Sequence, residues 1–441
     1  MSSRSSIEQG LGWLYDQVNG EEDARVCKDI PDAACVEQPR NFFAYLLANF
    51  CNKVSDEMVS ARITLPWLFH VLGVPLSFAG FLVPIREAGV LLPQLFVAAY
   101  VRAMTHRKIV WIVGAVLSAL ALFCMAMVAS LSSGAVAGWL LTLCLVFYSL
   151  ARGLCSVSAK DVLGKTISKT RRGRLMGYSA SVAGVATLLI GLSLQANWLD
   201  NQDQTVLVVI VFSAGVLWLL ALASFAFIVE PAGATEGGGN AVIEALRSLR
   251  IIIDDSEFRQ YLVSRILLLS VALVIPFYVL LVQQNFEGAL STLGILIIVN
   301  GLAGSLSAPL LGAMADSDSR LVMVLAALVA GVVGLVTCGW SMFFPDISYA
   351  QYLVYILFFL VELAHGASRL GRKVYLVDMA NTGNRAQYVA VSNTVIGIVM
   401  LFAGAIGVIA DIYSVEAVIL LLSVISLLAS IYIARMRNVS G

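Results

Sequence analysis

The chain has 441 residues, of which 59% are hydrophobic and 13% are charged. Soluble chains are about half apolar and about a quarter charged, so this chain has too few polar side chains to cover a globule in water. Its 28 basic and 28 acidic residues cancel, which excludes a general electrostatic preference for nucleic acids or other polyanions. The composition therefore predicts a protein that is solvated by a lipid bilayer.

The first predicted element is a polar N-terminal segment, residues 1–40, which contains no apolar stretch of the kind found in a cleavable signal. Ile7, Leu11, Leu14 and Val18 form a narrow apolar stripe at helical spacing within it. We expect this stripe to pack on the membrane surface or on the protein itself. Binding of a partner protein is the alternative interpretation.

The seven cysteines follow no paired spacing. Five lie in apolar segments, and two, Cys27 and Cys35, lie in the N-terminal segment. This distribution predicts small core side chains in a reducing compartment, without a disulfide framework or a metal site.

Twelve predicted helices, here called spans 1 to 12, follow this segment, because about 20 apolar residues are needed to cross about 30 Å of hydrocarbon. The spans are predicted near residues 41–65, 75–102, 109–131, 136–160, 174–196, 205–229, 258–282, 288–314, 320–341, 350–371, 386–410 and 415–434. Spans 1, 2, 10 and 11 contain charged or amide side chains and are less apolar than the rest.

One long interior connection divides the spans into two groups of six. Residues 230–257 begin with a flexible Gly-rich stretch and continue with helical spacing of apolar residues, which predicts a linker with a short amphipathic helix. The sequence thus predicts a six-helix bundle over residues 41–229 and a second one, with a short tail, over residues 258–441.

Basic residues alternate between the connections of these spans. The connections near residues 132, 200, 285, 345 and 413 contain no Lys or Arg, whereas the opposite connections are rich in both. Because Lys and Arg accumulate on the cytoplasmic side, the pattern predicts a multi-pass protein of the cell inner membrane with both termini in the cytoplasm.

The two groups of six spans are related by an internal repeat. Leu150-Ala-Arg-Gly153 in span 4 recurs as Leu363-Ala-His-Gly366 in span 10, at an offset of 213 residues. At the same offset Lys160 corresponds to Lys373, and Arg107 corresponds to Arg320. Parallel repeats of six helices relate the two halves of some transporter folds.

Charged side chains within the spans are the candidate functional residues. A charge at the bilayer centre costs roughly 2.5–3.5 kcal/mol on insertion scales, so such residues are expected to face the bundle interior or a hydrated cavity. Spans 3, 6, 9 and 12 have no charged residue in their cores, and we expect them to face lipid. The predicted substrate and proton pathway consists of Lys53, Asp56, Glu57, Arg86, Glu87, Arg152, Arg265, Asn300, Glu362, His365 and Asn393.

Several of these residues allow two interpretations. Lys53 lies on one helical face with Asp56 and Glu57, which forms either a self-neutralising group or a site with a surplus carboxylate that titrates. Arg86 and Glu87 are adjacent and cannot pair well with each other, so each needs a partner, with spans 1 and 4 as the expected source. Arg152 has no acidic residue within a helical turn, which makes it the foremost candidate for binding an anionic group.

The second half offers a similar choice. Glu362 and His365 are one turn apart and form either a proton relay or a hydrogen-bonded pair in the core. Asn300 and Asn393 are suited to substrate contact or to hydrogen bonds between helices.

Acidic and basic residues near the cytoplasmic ends of the spans suggest a gate. The predicted gate residues are Asp161, Arg174, Asp316, Arg320, Asp378 and Arg385. Topology alone also accounts for their basic members, and contact with anionic headgroups is a third interpretation.

The inward charges of spans 1, 2, 4, 7 and 10 and the apolar spans 3, 6, 9 and 12 resemble the major facilitator superfamily. In that family the first, fourth, seventh and tenth helices line a central cavity and every third helix lies outermost. Gly312-Ala-Met-Ala-Asp316-Ser-Asp-Ser-Arg320 resembles a degenerate form of the family's loop motif, although the corresponding Asp after span 2 is missing. The resemblance implies an all-α, polytopic membrane protein of twelve transmembrane helices in two pseudo-symmetric bundles, of the bacterial kind and of no assigned subfamily.

The expected function is secondary active transport of a small molecule by alternating access, with proton coupling favoured because buried carboxylates and a histidine are available. The expected partners are an anionic, zwitterionic or amphiphilic substrate, protons and the bilayer, and we expect a monomer without cofactor, metal or nucleic acid. No enzyme motif such as HExxH or GxSxG is present, so a membrane enzyme is disfavoured. The remaining alternative is a non-transporting relative of the same fold that assembles or escorts another complex.

Overall fold

The computed structural model describes residues 6–19, 30–92, 104–196, 203–233, 249–286, 289–343, 350–380 and 385–439, and these residues form helices and their connections without any strand. Ten helices in these ranges are long and apolar enough to cross a membrane. They are Lys108–Leu131, Gly134–Thr166, Lys169–Gln195, Gln204–Ala226, Ser256–Asn285, Leu290–Ser307, Ser319–Phe343, Ala350–Met379, Gln387–Ile412 and Val415–Ala434. These helices correspond to the predicted spans 3 to 12, and they confirm an all-α polytopic membrane protein.

Spans 1 and 2 are not among these ten, because span 1 is more polar and only 15 residues of span 2 are described as a helix. Span 1 was predicted as one helix near residues 41–65, and the structure instead has helices Gln38–Met58 and Thr64–Val71. Span 2 is described as the helix Ser77–Leu91. Non-helical backbone at membrane depth is tolerated only where it is buried in protein or lines a wet cavity, so the break at residues 59–63 marks such a place.

Span 7 is the most buried of the long helices, with 89% of its apolar window inside the molecule. It consists of three helical pieces, Ser256–Leu267, Leu269–Leu273 and Ile275–Asn285, and Pro276 lies in the first turn of the last piece. Span 11 is similarly divided into Arg385–Ala403, a short 3₁₀ turn and Gly407–Ile412. Span 8 continues as a helix to Ser317.

The two halves meet through a restricted set of helices. Spans 1, 2 and 5 pack against spans 7, 8 and 11, whereas spans 3 and 6 pack on each other, as do spans 9 and 12. The latter four helices have many exposed apolar side chains, for example Leu120, Phe212, Val332 and Leu428. This arrangement agrees with the expectation that every third helix faces lipid.

One end of the bundle, at which the odd-numbered spans begin, is here called the basic end, and the opposite end is called the neutral end. At the basic end the buried Glu230 carboxylate accepts hydrogen bonds from the backbone N–H groups of Arg107 (3.0 Å) and Lys108 (2.8 Å) and from the Lys165 ammonium (2.9 Å). Lys108 in turn donates to the carbonyl oxygen of Ile228 at 2.7 Å. Glu230 thereby caps the first turn of span 3 and ties it to spans 4 and 6.

The N-terminal segment is partly described by the helix Ser6–Asn19, which docks on the first half. Tyr15 is buried against Phe42, and the Gln38 amide donates to the Tyr15 hydroxyl at 2.7 Å. Leu14 of the predicted apolar stripe is 41% exposed, whereas Val18 of the stripe packs against the hydrophobic core beside Tyr15. The side chain of Ile7 lies outside the described residues.

The cysteine prediction is wrong at one position. Cys35, in the short helix Asp32–Val36 of the N-terminal segment, is disulfide-bonded, whereas Cys51, Cys124, Cys144, Cys155 and Cys338 of the spans are free. The interpretation of cysteine as a small core side chain depends on an apolar span around it. Cys35 is half-buried and lies outside every span, so that argument does not apply to it.

Candidate functional site: a charged central cavity

A cavity of 320 Å³ lies between the two halves, beside the break in span 1. Its wall includes charged side chains of spans 1, 2, 4 and 10 together with residues of the break. The lining residues are Asp56, Glu57, Ser60, Ala61, Arg62, Val83, Arg86, Glu87, Val90, Arg152, Ser156 and Arg369. Asp56, Glu57, Arg86, Glu87 and Arg152 were predicted as pathway residues, while Arg62 and Arg369 were not.

Asp56 is the centre of an ionic cluster on the first-half side of the cavity. Its carboxylate accepts from Arg152 Nη2 at 2.5 Å, from Arg86 Nη2 at 2.8 Å and from the Tyr148 hydroxyl at 2.7 Å. The Arg152 guanidinium also lies over the Trp218 ring, 4.9 Å from its centroid. Arg86 thus has its partner on span 1, as expected, and Arg152 is already paired with a carboxylate of the protein.

A second ion pair crosses between the halves. Arg62, in the break of span 1, donates to Glu362 of span 10 at 2.9 Å. Asn300 of span 8 donates to Glu57 at 3.3 Å, which is a further link between halves. Arg62 is not among the predicted pathway residues, and its partner 300 residues away reveals that it is part of the site.

Other charged groups of the site make no hydrogen bond or salt bridge with the residues that the structure describes. Lys53 is half-buried on span 1 and makes no hydrogen bond or salt bridge there, so it does not neutralise Asp56 or Glu57. Glu87 and Arg369 are exposed on the cavity wall and also lack such a bond within the described ranges. His365 is half-buried one turn after Glu362, again without a hydrogen bond in that part of the chain.

Arg265 and Asn393 form a separate cluster in the second half. The Arg265 guanidinium donates to Ser392 Oγ at 2.5 Å and to Asn393 Oδ1 at 2.9 Å. Arg265 is buried, with 8% of its surface exposed. The structure therefore places these two predicted pathway residues together, away from the wall of the central cavity.

The neutral end closes over the cavity. A Cβ atom built on Gly80 of span 2 would lie 2.5 Å from the carbonyl oxygen of Gly404 of span 11, and one on Gly294 of span 8 would lie 2.5 Å from that of Gly191 of span 5. Small residues allow such close approach of helix backbones. The Gln283 amide of span 7 also donates to the Trp67 carbonyl oxygen at 3.3 Å.

The predicted gate residues lie at the basic end. Asp161 pairs with Arg107 at 3.1 Å, and Arg320 lies 3.9 Å from Asp318 and donates to the Met436 carbonyl oxygen at 2.8 Å. These contacts each lie within one half. Asp316, Arg174 and Asp378 are exposed, and the side chain of Arg385 lies outside the described residues. The glycine contacts that close the interface between the halves therefore lie at the neutral end. The cavity lies on the side of these contacts that faces the basic end.

Comparison with known proteins identifies the fold. Residues 261–440 match the family model of the Major Facilitator Superfamily, and no curated protein matches the chain by sequence. The structure is similar to that of a POT family transporter in complex with 5-aminolevulinic acid, with a TM-score of 0.69 and 12% identity over 93% of this chain and 98% of that chain.

Two sugar transporters of known structure are also similar. The match to a D-xylose-proton symporter has a TM-score of 0.65 and 14% identity over 91% of this chain and 97% of that chain. The match to the inward open conformation of the xylose transporter XylE from E. coli has a TM-score of 0.61 and 13% identity over 91% and 96% of the two chains. At these identities the similarity establishes the fold.

Proposed function

We propose that this protein, which has the major facilitator fold and whose second half matches that family's model, is a secondary active transporter. In this proposal it moves a small molecule across the inner membrane by alternating access, and protons supply the driving force. Both termini and the basic end then lie in the cytoplasm, in accordance with the positive-inside rule.

The charged cavity between the halves is the observation that supports this proposal. Hydrocarbon expels unpaired charge, so Glu87 and Arg369 on its wall require water or a ligand. The cavity lies at the interface between two repeats, and binding sites of transporters are found at such interfaces near the bilayer midplane. Glycine contacts between spans 2 and 11 and between spans 5 and 8 close the neutral end, and alternating access requires that one end be closed at a time.

Proton coupling is assigned to the carboxylates that are not held by two guanidinium groups. Asp56 is bound by both Arg86 and Arg152, which favour its charged form. Glu57 and Glu87 face the cavity, and Glu362 has a single Arg partner with His365 one turn away. These groups are the proposed proton carriers.

The test is transport in reconstituted vesicles that contain a pH-sensitive dye. An imposed proton gradient is followed during addition of D-xylose, 5-aminolevulinic acid, a dipeptide and a series of organic anions. We expect one class to dissipate the gradient in vesicles with protein and not in empty vesicles. We expect Arg152→Gln and Lys53→Gln to abolish this flux while the exposed Arg250→Gln leaves it intact.

The alternative of an assembly or escort factor makes the opposite prediction. A stoichiometric protein partner would then co-purify, and function would persist after Arg152→Ala. The absence of gradient-dependent flux for the whole series, together with full activity of Arg152→Gln and Lys53→Gln in the assay for the partner, would refute the transporter proposal.

A further inference from the structure

Span 10 presents a row of cations towards the basic end. Arg369, Arg372 and Lys373 are spaced at i, i+3 and i+4, which places them on one face of the helix Ala350–Met379. Arg369 lines the central cavity and both Arg369 and Lys373 are exposed. None of these three side chains forms a hydrogen bond or salt bridge with a residue in the described ranges.

Span 4 adds a fourth cation from the opposite half. Lys160 is the residue that corresponds to Lys373 in the internal repeat, and it is exposed. Lys373 is within electrostatic range of Lys160, Arg369 and Arg372. We call Lys160, Arg369, Arg372 and Lys373 the basic cleft.

The acidic groups of the site do not neutralise the basic cleft. Asp56 is occupied by Arg86 and Arg152, and Glu362 is occupied by Arg62. Glu57 accepts from Asn300, and among the described residues Glu87 is the carboxylate that interacts electrostatically with Arg372 and Lys373. Glu362 is also within electrostatic range of Arg369, so the four cations face two carboxylates, one of which is already paired with Arg62.

Topology accounts for part of this excess. Arg372 and Lys373 lie beyond residue 371, the predicted end of span 10, and the positive-inside rule explains them, but it does not explain Arg369, whose side chain lines the central cavity. Like charges at i+3 and i+4 repel each other, and the repulsion is stronger away from bulk water. A counterion in the cleft would relieve it.

We propose that the substrate is a small organic anion with at least two negative charges, bound in the basic cleft by Arg369 and Lys373 of span 10 and by Lys160 of span 4. This inference rests on the proposed transport function and names its substrate class. Guanidinium groups bind planar or tetrahedral oxyanions through paired N–H donors, and the Lys ammonium groups add point charges from both halves. Such a ligand connects the two halves at the basic end, where each of the described ion pairs lies within one half.

The test is binding to purified full-length protein in a neutral detergent, measured by thermal shift and titration calorimetry at constant ionic strength. The probes are glycerol, lactate, succinate and glycerol phosphate, with 5-aminolevulinic acid as a zwitterion. We expect succinate or glycerol phosphate to stabilise the protein and the neutral and zwitterionic probes to have no effect. Arg369→Gln and Lys373→Gln should each weaken dianion binding at least tenfold.

Two further variants separate a binding role from a general charge effect. Glu87→Gln removes the opposing carboxylate and should tighten dianion binding severalfold, whereas Arg250→Gln, on the exposed surface, should leave it unchanged. Equal or stronger stabilisation by glycerol or the zwitterion, or unchanged dianion affinity in Arg369→Gln, would overturn the inference.

Anionic lipid headgroups share the chemistry of these probes, and a separate arm distinguishes them. If phosphatidylglycerol nanodiscs stabilise the protein through Arg369 and Lys373 while none of the soluble dianions binds, the cleft is a lipid site and the inference is wrong. Dianion binding without any flux would refute the transport proposal and leave the site standing. Proton-coupled flux of D-xylose or a dipeptide without dianion binding would support the transport proposal and refute the dianion site.

Discussion

Asp56 accepts hydrogen bonds from Arg86, Arg152 and Tyr148, so its charge balances two guanidinium groups inside the bundle. We expect Asp56→Asn to lower the free energy of unfolding by roughly 3 kcal/mol, because removing one partner leaves buried charge without compensation. Tyr148→Phe removes one neutral donor and should cost about 1 kcal/mol. Chemical denaturation in detergent measures both, and equal stability of Asp56→Asn and the native protein would contradict the role assigned to this cluster.

Residue spacing along the sequence predicted which helices contain charge, but not which charges meet. The need of Arg86 for a partner on span 1 or 4 followed from its position beside Glu87, and the pair with Asp56 confirms it. The pair Arg62–Glu362 could not be predicted, because it depends on how two halves 300 residues apart pack together. The i, i+3, i+4 spacing of Arg369, Arg372 and Lys373 can be read from the sequence, but this spacing does not show that Arg369 lines the cavity.

At the scale of elements, span 7 begins with a capped helix. Asp255 accepts hydrogen bonds from the backbone N–H groups of Glu257 (2.9 Å) and Phe258 (3.0 Å) and from the Tyr388 hydroxyl of span 11. Burial raises the pKa of Asp255, but these hydrogen bonds lower it more, and the pKa lies below its ordinary value of 3.8. The cap therefore stabilises the folded state above that pH and loses its effect as the pH falls through the lower pKa of the folded protein.

Two substitutions separate the cap from its charge. Asp255→Ala should reduce stability at neutral pH by about 1 kcal/mol. The first four N–H groups of a helix have no acceptor within the helix, and this substitution removes the acceptor that Asp255 supplies. Asp255→Asn retains an N-cap acceptor and should abolish the part of the acid destabilisation that occurs below pH 3.8. The measurement is the unfolding free energy as a function of pH. If the unfolding free energies of the native protein and of Asp255→Asn decrease equally at acid pH, this linkage is excluded.

Hydropathy predicted spans 3 to 12 well, because each contains an apolar window of 18 residues with at most two charged side chains. It could not predict the break at residues 59–63, since a polar stretch in a helix and a break in a helix have the same composition. Ser60 and Arg62 face the cavity there, and only the position of the second half decides that the chain can leave the helical conformation. The boundaries of the two bundles and of the linker remain predictions.

At the scale of the whole molecule, the halves touch closely at the neutral end through glycine backbones. Gly80→Leu places a side chain where the backbone of Gly404 and Gly407 lies, so spans 2 and 11 must separate. We expect this variant to favour the state that is open at the neutral end. Hydrogen exchange read by mass spectrometry should show at least tenfold faster exchange at the neutral ends of both spans.

Gly304→Leu on span 8 is the matched control, because a Cβ atom there meets nothing within 4 Å. Its exchange pattern should match that of the native protein. If Gly80→Leu and Gly304→Leu exchange alike, the glycine contacts do not hold the neutral end closed, and the conformational cycle must be controlled elsewhere.

Glu230 has a mechanical consequence for the first half. The carboxylate of Glu230, which follows span 6, accepts hydrogen bonds from the start of span 3 and the end of span 4. Asn41 of span 1 exchanges hydrogen bonds with Val229, which connects span 1 to the same place. These hydrogen bonds join the ends of four helices at the basic end of the first half. Arg86 also joins span 2 to span 1 through Asp56, so we expect the first half to turn as one body when the glycine contacts of spans 2 and 5 with the second half open.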